Sequence, residues 1–198
     1  MRPAERYRLI ERLGEGSIGV VHRALDLATG REVALKIMPR ARGATNLRDE
    51  FVALARLRHP NIVSVLDYGL TDAGDEYFTM ELVAGPSLTT AVGPVTAQRI
   101  WALLGGVLDA LGAVHGAGMV HADLKPSNIL VDGATLLHAP GRSARLADFG
   151  LVTPLVDPGG ATARGTIGYA APEAWSGRLD PRSDLYSFGV VLWQLVMG

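Results

Sequence analysis

The chain has 198 residues, of which 48% are hydrophobic, and a formal net charge of -1. This length is sufficient for one domain with a substantial core and two lobes, and the charge gives no reason to expect nucleic acid or an anionic membrane as a partner. Because the chain has no cysteine, disulfides, thiolate catalysis and cysteine-ligated zinc are excluded.

The sequence shows no targeting or membrane-spanning segment. Its start, MRPAE, lacks the apolar core of a signal peptide. The most apolar run, residues 188–197, is too short to cross a bilayer and contains Gln194. We therefore expect a cytoplasmic protein without a membrane span.

The first predicted elements are two strands joined by a glycine-rich turn. Apolar residues alternate with the period of a strand over 7–13, and a second run covers 20–24. The connection is GEGSIGVV, whose glycines allow backbone N–H groups to approach a phosphate. They are Gly14, Gly16 and Gly19. A flexible turn is the alternative, and the strand that follows argues against a dinucleotide-binding fingerprint.

A buried ion pair is predicted between the next strand and a helix. Alternation over 31–38 places Lys36 on the same face as Ala34. In the helical pattern of 47–57, Glu50 falls on the apolar stripe, so its carboxylate needs a counterion, for which Lys36 is the natural choice. The alternative is that Glu50 flanks the stripe and pairs with a nearby surface arginine, Arg48 or Arg58.

Two apolar strands and a long helix follow. The strands are predicted over 62–67 and 77–83, before a Gly-Pro pair that suggests a lobe boundary. A stripe over 100–114, widened by Trp101, Leu103 and Leu108, predicts a mostly buried helix that ends at glycines. We expect an α+β fold with lobes at 1–83 and 84–198.

After this helix comes a polar loop, HADLKPSN, at residues 121–128. Asp123 can accept a hydroxyl proton, Lys125 can neutralise phosphate charge, and Asn128 offers a carbonyl oxygen to Mg²⁺. A solvated turn is the alternative for such a segment by itself.

Several motifs, in order, are similar to those of the eukaryotic-like serine/threonine protein kinases, with a composition closest to bacterial members. They are the glycine turn, VALK, an acidic helix position, HADLKPSN, Asp148-Phe149-Gly150 and GTIGYAAPE at 165–173. The resemblance implies a bilobal fold with an antiparallel sheet and one helix in the first lobe and a helical second lobe. It also implies ATP and Mg²⁺ as cofactors and a protein with serine or threonine hydroxyls as substrate.

The resemblance also implies residue roles. Lys36, oriented by Glu50, would bind the ATP phosphates, Asp148 and Asn128 would bind metal, and Asp123 would accept the substrate proton. Lys125 would stabilise the transferred phosphoryl group, and Thr166 would bond Asp123 and Lys125 as in serine/threonine kinases. A plain turn threonine is the alternative at this position. The adenine would be enclosed by apolar residues and read by hinge backbone groups: Leu13, Val21, Ala34, Met80 and Leu130, with Glu81 and Val83.

Three departures from the family pattern stand out. Ala122 replaces the arginine that ordinarily receives a phosphate on the activation segment, so we expect activation without a phosphate at Thr162 or Thr153. The chain ends at Gly198, where relatives continue, so we expect a truncated second lobe: either a further segment or partner covers it, or the chain is a fragment or a degenerate copy. The stretch 132–145 is longer than the hairpin that family members usually have before Asp148-Phe149-Gly150. The sequence offers no physical reason for this extra length.

Two other functions compete with the kinase interpretation. A pseudokinase, acting as a nucleotide-binding or scaffold module, would keep the fold without turnover. A small-molecule phosphotransferase would share the acidic set but not the GTIGYAAPE segment, so it ranks last.

Overall fold

The computed structural model describes residues 6–16, 19–39, 47–90, 97–136, 138–148, 153–154 and 165–197. Thr153 is among them only as backbone, and Thr162 lies outside them. The chain divides into two units, Met1–Arg58 with Ser64–Leu82 and His59–Val63 with Val83–Gly198.

The first unit contains a five-stranded antiparallel sheet in the order β1-β2-β3-β5-β4. Its strands are β1 (Tyr7–Gly16), β2 (Gly19–Asp26), β3 (Arg31–Met38), β4 (Val65–Leu70) and β5 (Glu76–Glu81). The core of the first unit lies on one face of this sheet, where Val33, Leu35 and Ile37 are every second residue of β3. The buried members are Tyr7, Ala24, Val33, Leu35 and Tyr77, with Ile37 packed against them. The predicted alternation of the third strand is therefore confirmed.

Strand β1 is less regular than the sequence indicates. Its pairing with β2 shifts between Leu9 and Glu11 and again between Arg12 and Gly14. These irregularities break the period of two. Leu13 lies within the second irregularity and is 49% exposed. Tyr7 is buried, and Leu9, which precedes the first shift, is 48% exposed.

One helix, α1 (Leu47–Arg56), packs beside β4 within the first unit. Leu54 is buried, and the ring of Phe51 lies 5.7 Å from that of Tyr68. The predicted helix over 47–57 is confirmed to within one residue. The side chains of 47–50, including Glu50, lie outside the described part of the chain.

The strand predicted over 62–67 was misplaced. Strand β4 begins at Val65, while Ile62 forms a parallel bridge to Leu146 and Val63 donates its N–H to the Leu146 carbonyl at 2.9 Å. Both residues are buried and belong to the second unit. The apolar run therefore serves two cores in succession, which periodicity alone cannot reveal.

The second unit is mainly helical and contains two small antiparallel pairs, β6 with β9 and β7 with β8. Its elements are α2 (Ala97–Gly116), β6 (Met119–Val120), β7 (Ile129–Val131), α3 (Gly133–Leu136), β8 (Ala144–Leu146), β9 (Thr153–Pro154) and α4 (Pro181–Met197). Short 3-10 turns lie at Pro126–Asn128, Pro140–Arg142 and Pro172–Ser176. With the first unit's sheet and helix, this confirms the α+β class.

Helix α2 buries a narrower face than expected. Leu104, Val107, Leu111 and Val114 are buried, as their spacing predicts. Trp101, however, is 64% exposed and Leu108 is 41% exposed. Of the three residues that widen the predicted stripe, Leu103 is therefore buried as expected, whereas Trp101 and Leu108 are not.

The long stretch after β7 has a structural explanation. Asp132 caps α3, because its Oδ1 accepts a 3.4 Å hydrogen bond from the Thr135 backbone N–H and its Oδ2 accepts a 2.7 Å bond from the Thr135 hydroxyl. The Asn61 amide donates 2.8 Å hydrogen bonds to the carbonyls of Gly141 and Ala144. Gly106 of α2 lies directly beneath, where a Cβ would collide with the Gly141 carbonyl. The insertion is thus seated on α2.

None of the helices in the described residues is both long and apolar enough to cross a membrane.

Candidate active site

The backbone of the 121–128 loop is held by a buried carboxylate from α4. Asp184 accepts hydrogen bonds of 2.9 Å from the backbone N–H groups of His121 and Ala122, one on each carboxylate oxygen. The Nε2 atom of His115, at the end of α2, lies 2.8 Å from Asp184 Oδ2. Ala122 has a φ of 66°, which L residues with a Cβ rarely adopt. Asp184 therefore holds the loop in a conformation that it would not favour alone.

The ring of His121 braces the same loop from inside. His121 is fully buried, and its Nδ1 accepts a hydrogen bond from the backbone N–H of Asp123 at 3.3 Å. Its Nε2 lies 3.3 Å from the Ala147 carbonyl, so the two contacts together fit the tautomer that carries its proton on Nε2. This histidine is a structural link between the loop and the segment after β8.

Three side chains form a closed set of hydrogen bonds around Asp123. The Thr166 hydroxyl donates to Asp123 Oδ1 at 2.6 Å, and Lys125 Nζ donates to Asp123 Oδ2 at 2.8 Å. Lys125 also donates to Thr166 Oγ1 at 2.7 Å. The structure thus brings together the three residues that the sequence placed at the centre of phosphoryl transfer.

Asn128 and Asp148 are brought together by the β7-β8 hairpin. The register pairs Ile129 with Leu146, and the Ala147 N–H donates to the Asn128 carbonyl at 2.8 Å. The Asn128 amide nitrogen donates to the backbone carbonyl of Asp123 at 2.9 Å. Its Oδ1 is therefore the atom directed away from this bond and suited to a hard cation. Asp148 follows with a φ of 59°.

The 165–170 segment packs closely against the 121–128 loop. Gly165 has a φ of 103°, and a Cβ there would lie 3.1 Å from the Ala122 carbonyl and 2.9 Å from the Ala170 side chain. The Thr166 carbonyl accepts hydrogen bonds from the N–H groups of Tyr169 and Ala170 at 3.0 and 3.1 Å. This turn fixes the backbone that carries Thr166.

In the first unit, four of the predicted ligand residues share one face of the sheet. Val21 pairs with Lys36 across β2 and β3, and Ala34 pairs with Met80 across β3 and β5. Lys36 is only 1% exposed, with its Nζ 6.0 Å from the ring centroid of Phe78. The lysine is therefore an interior residue and not a solvated edge residue. Its predicted pairing with Glu50 involves a side chain outside the described residues.

The glycines of the glycine-rich turn differ in how closely their surroundings pack. Gly14 pairs with Val21, and a Cβ on it would meet nothing within 4 Å. Gly19, by contrast, is pressed against β3, where a Cβ would collide with the Ile37 carbonyl. Gly16 pairs with Gly19 at the end of the hairpin. Close strand packing thus explains Gly19 without a ligand.

The remaining predicted adenine-binding residues are placed separately in the two units. Leu13 is about half exposed on β1. Glu81 donates its N–H to the Ser64 carbonyl at 2.9 Å in the first unit. In the second unit the Val83 carbonyl accepts from Gly85 N–H at 3.0 Å, and Leu130 forms a bridge with Ser87.

Sequence reasoning missed the residues that hold the site from behind. Asp184, Ser183 and Ser187 are buried polar residues of α4, and His115 reaches Asp184 from α2. In this part of the chain the sequence pattern identifies only the apolar run 188–197. The available signal was a polar group at positions i, i+1 and i+4 of an otherwise apolar helix, since buried polar groups require partners.

Comparison with known proteins agrees with this geometry. The protein kinase domain family matches residues 7–198. The chain is 38% identical to the serine/threonine-protein kinase pkn3 of Myxococcus xanthus and 42% identical to the DNA damage-responsive serine/threonine-protein kinase RqkA of Deinococcus radiodurans. It is 38% identical to the serine/threonine-protein kinase PknL of Mycobacterium bovis.

Each of these matches covers 98% of the chain but only 38%, 30% and 49% of the respective relative. The chain therefore spans less than half the length of these curated relatives. The chain has a two-unit α+β architecture and belongs to the protein kinase family.

Proposed function

We propose that the chain is a serine/threonine protein kinase that transfers the γ-phosphate of ATP to a protein hydroxyl. The observation that supports this most directly is the closed set formed by Asp123, Lys125 and Thr166. Phosphoryl transfer depends on positioned charge more than on covalent chemistry, and this set fixes a carboxylate and an ammonium group side by side.

Asp123 would accept the proton of the substrate hydroxyl. A carboxylate offers about four lone-pair sites, and three are used by Thr166, Lys125 and the 3.3 Å contact from Asn128. Capacity thus remains for one further donor. Lys125 would stabilise the negative charge on the transferred group, while its 2.8 Å hydrogen bond orients the Asp123 carboxylate.

Asn128 and Asp148 would hold Mg²⁺. An amide oxygen and a carboxylate oxygen, completed by phosphate oxygens, are the hard ligands that this cation prefers. The metal would supply charge neutralisation at the phosphates. The contribution of the chain is to orient Asn128, whose amide nitrogen is committed to the Asp123 backbone.

The first unit would supply nucleotide contacts. Lys36 would bind the α- and β-phosphates, with Glu50 as its proposed counterion, and Gly14 has room for a phosphate to approach. Ala34 and Met80, which are paired and nearly buried, would contact the adenine with Val21 and Leu13. Leu130 and backbone groups of Glu81 and Val83 complete the proposed set.

The assay measures transfer of labelled phosphate from ATP and Mg²⁺ to myelin basic protein. Asp123→Asn should reduce the rate by about 10²- to 10⁴-fold, the usual effect of losing a general base. Lys36→Met should also abolish labelling. Asp109→Asn is the matched control, because Asp109 is an exposed carboxylate on α2.

Equal labelling by wild type and Asp123→Asn would contradict the kinase proposal. Binding of ATP without any labelling, measured by a thermal shift with ATP and Mg²⁺, would favour the pseudokinase alternative instead. Transfer to small hydroxyl compounds but not to protein would favour the small-molecule phosphotransferase.

A further inference from the structure

Three buried polar side chains lie in the first turns of α4. Ser183, Asp184 and Ser187 are 3%, 0% and 6% exposed. Each contacts a different part of the site, and Asp184 holds the 121–128 loop. The two serines instead hold the segment that begins at Gly165. One short stretch of helix therefore supports two loops through separate side chains.

The Ser187 hydroxyl makes the more informative contact. It donates to the Tyr169 carbonyl at 2.8 Å, although its own i−4 carbonyl, on Ser183, lies 3.1 Å away. The i−4 carbonyl is the usual acceptor for a serine within a helix. The shorter bond to another segment shows that this hydroxyl ties the 165–170 segment to α4.

Tyr169 is attached to α4 at a second point. Its phenol donates to Gln194 Oε1 at 2.7 Å. Ser187 and Gln194 are seven residues apart and so lie on the same helix face, two turns from each other. Backbone and side chain of Tyr169 are thus both laid along α4.

Ser183 attaches the downstream end of the same segment. Its hydroxyl donates to Glu173 Oε1 at 2.9 Å, and its Oγ accepts a 3.3 Å hydrogen bond from the Asp180 N–H. Glu173 lies in the 3-10 turn Pro172–Ser176. Residues 169–173 are consequently fixed at both ends by serine hydroxyls.

Tyr169, which Ser187 holds through its carbonyl, also bonds Thr166 in the same turn. The N–H groups of Tyr169 and Ala170 both donate to the Thr166 carbonyl, and Thr166 Oγ1 lies 2.6 Å from Asp123 Oδ1. Ile167, between them, is 84% exposed. The turn thus presents an exposed backbone and an apolar side chain next to the proposed base.

We propose that Ser187 is a positioning residue for the protein acceptor, acting through Tyr169 on the 165–170 turn. This rests on the proposed kinase function. Asp184 positions the loop that performs transfer, while Ser187 positions the surface on which the acceptor lies. The two residues differ in their direct contacts: the hydrogen bonds described for Ser187 go to Tyr169 and Ser183, whereas those of Asp184 go to His115 and to the 121–128 loop.

Steady-state kinetics with myelin basic protein test this separation. Ser187→Ala should raise the KM for the protein by about 3- to 10-fold, the range expected for one hydrogen bond, while the KM for ATP is unchanged. Ser187→Thr keeps the hydroxyl and should restore the protein KM. Thr135→Val removes a hydroxyl bond in α3, remote from the site, and should change neither constant.

Amide hydrogen exchange gives a readout that does not need turnover. In Ser187→Ala the amides of Tyr169 and Ala170 should exchange faster, whereas those of residues 121–128 should keep their protection. If both KM values rise together, or if exchange in the 165–170 segment equals that of wild type, the proposal is overturned.

Failure of the kinase function would be recognised separately. It would appear as absent labelling in the wild type, and the exchange comparison would still decide whether Ser187 anchors the turn.

Discussion

The carboxylate of Asp184 accepts a 2.9 Å hydrogen bond from the backbone N–H of Ala122, the residue with a φ of 66° directly before Asp123. Its other oxygen accepts from His121. Since left-handed backbone at a non-glycine residue costs about 1–3 kcal/mol, these two bonds offset the strain of the loop. The position of the proposed base therefore depends on a residue in a distant helix.

Asp184→Asn should weaken both stability and activity. An asparagine has one acceptor oxygen, so one of the two loop N–H groups would face an NH₂ group and remain unsatisfied, at a cost of about 1–3 kcal/mol. We expect a lower melting temperature and a kcat reduced by tenfold or more, because about 1 Å of misplacement can cost 10²-fold in rate.

Asp180→Asn is the control for this change. Among the described residues Asp180 bonds with close neighbours in sequence, and it accepts from the Arg182 N–H at 2.7 Å. Its replacement should leave kcat within about twofold of wild type. An Asp184→Asn protein with unchanged melting temperature and kcat would show that the loop does not rely on this carboxylate.

Replacing single glycines of the 165–170 segment by alanine should destabilise the protein to different extents. Gly168→Ala, at a φ of 94° with open space around it, should cost about 1–2 kcal/mol through backbone strain alone. Gly165→Ala adds the contacts with Ala122 and Ala170, so it should cost about 2–5 kcal/mol and lower kcat/KM for protein substrates.

Gly141→Ala completes the series, because its Cβ would meet only the Ala102 carbonyl at 3.8 Å. It should be nearly neutral. Urea unfolding of the three variants measures the expected order of destabilisation, with Gly165→Ala largest and Gly141→Ala smallest. Their kcat/KM values show whether activity follows the same order. A Gly165→Ala protein as stable as Gly141→Ala would contradict the close packing of this segment on the 121–128 loop.

The sequence identified the residues proposed to take part in phosphoryl transfer, but not the residues of α4 that hold their loops in place. Asp123, Lys125 and Thr166 were identifiable because their motifs are contiguous and their chemistry is explicit. The spacing of Ser183, Asp184 and Ser187 indicates buried polar groups, but it gives no sign of which loops those groups contact. Tertiary contacts, not local pattern, determine those partners.

The fold shows the same division. The strand over 31–38 and the helix over 47–57 follow from periodicity: Val33 and Leu35 alternate into one sheet core, and Leu54 of the helical stripe is buried. Ile62 and Val63 were misassigned because their burial comes from Leu146, far along the chain. Trp101 was misjudged because an apolar side chain need not be covered.

Ala122 leads to a prediction about regulation. A methyl side chain offers neither charge nor a donor to a phosphate, so phosphorylation at Thr162 should have no partner at this position. Thr162→Ala should therefore keep at least about half of the wild-type activity, within the effect of an ordinary surface substitution. Phosphate transfer to myelin basic protein measures it.

Thr166→Ala serves as the comparison, because it removes the hydroxyl bonded to Asp123 and Lys125. It should lose most activity. If Thr162→Ala were instead inactive, and Thr162→Glu active, the chain would depend on a phosphate despite Ala122.

The first unit carries a pH-dependent contact far from the proposed chemistry. Arg6 donates 3.2 Å hydrogen bonds to both oxygens of Asp26 and a 2.6 Å bond to Asp67. The hydrogen bond from Arg6 is the main cause that lowers the pKa of Asp26, opposed by its burial and assisted by the Ala28 N–H and Thr29 hydroxyl. These contacts join the start of β1 to the turn after β2.

A lowered pKa means that the folded state favours the ionised carboxylate. The stabilisation is therefore present above the unfolded pKa of about 3.9 and is lost as the pH falls through the lower pKa of the folded state. Asp26→Asn should be less stable than wild type at pH 6, and the difference should shrink steadily as the pH is lowered below about 4.

Urea unfolding followed by far-ultraviolet circular dichroism measures this difference. Asp72→Asn, a change at an exposed carboxylate of the same unit, corrects for the general effect of removing one negative charge. Because Arg6 also bonds Asp67, part of the stabilisation should survive in Asp26→Asn and be lost in Arg6→Ala. A stability difference between wild type and Asp26→Asn that stays constant from pH 6 to pH 3 would show that ionisation of Asp26 does not stabilise the folded unit.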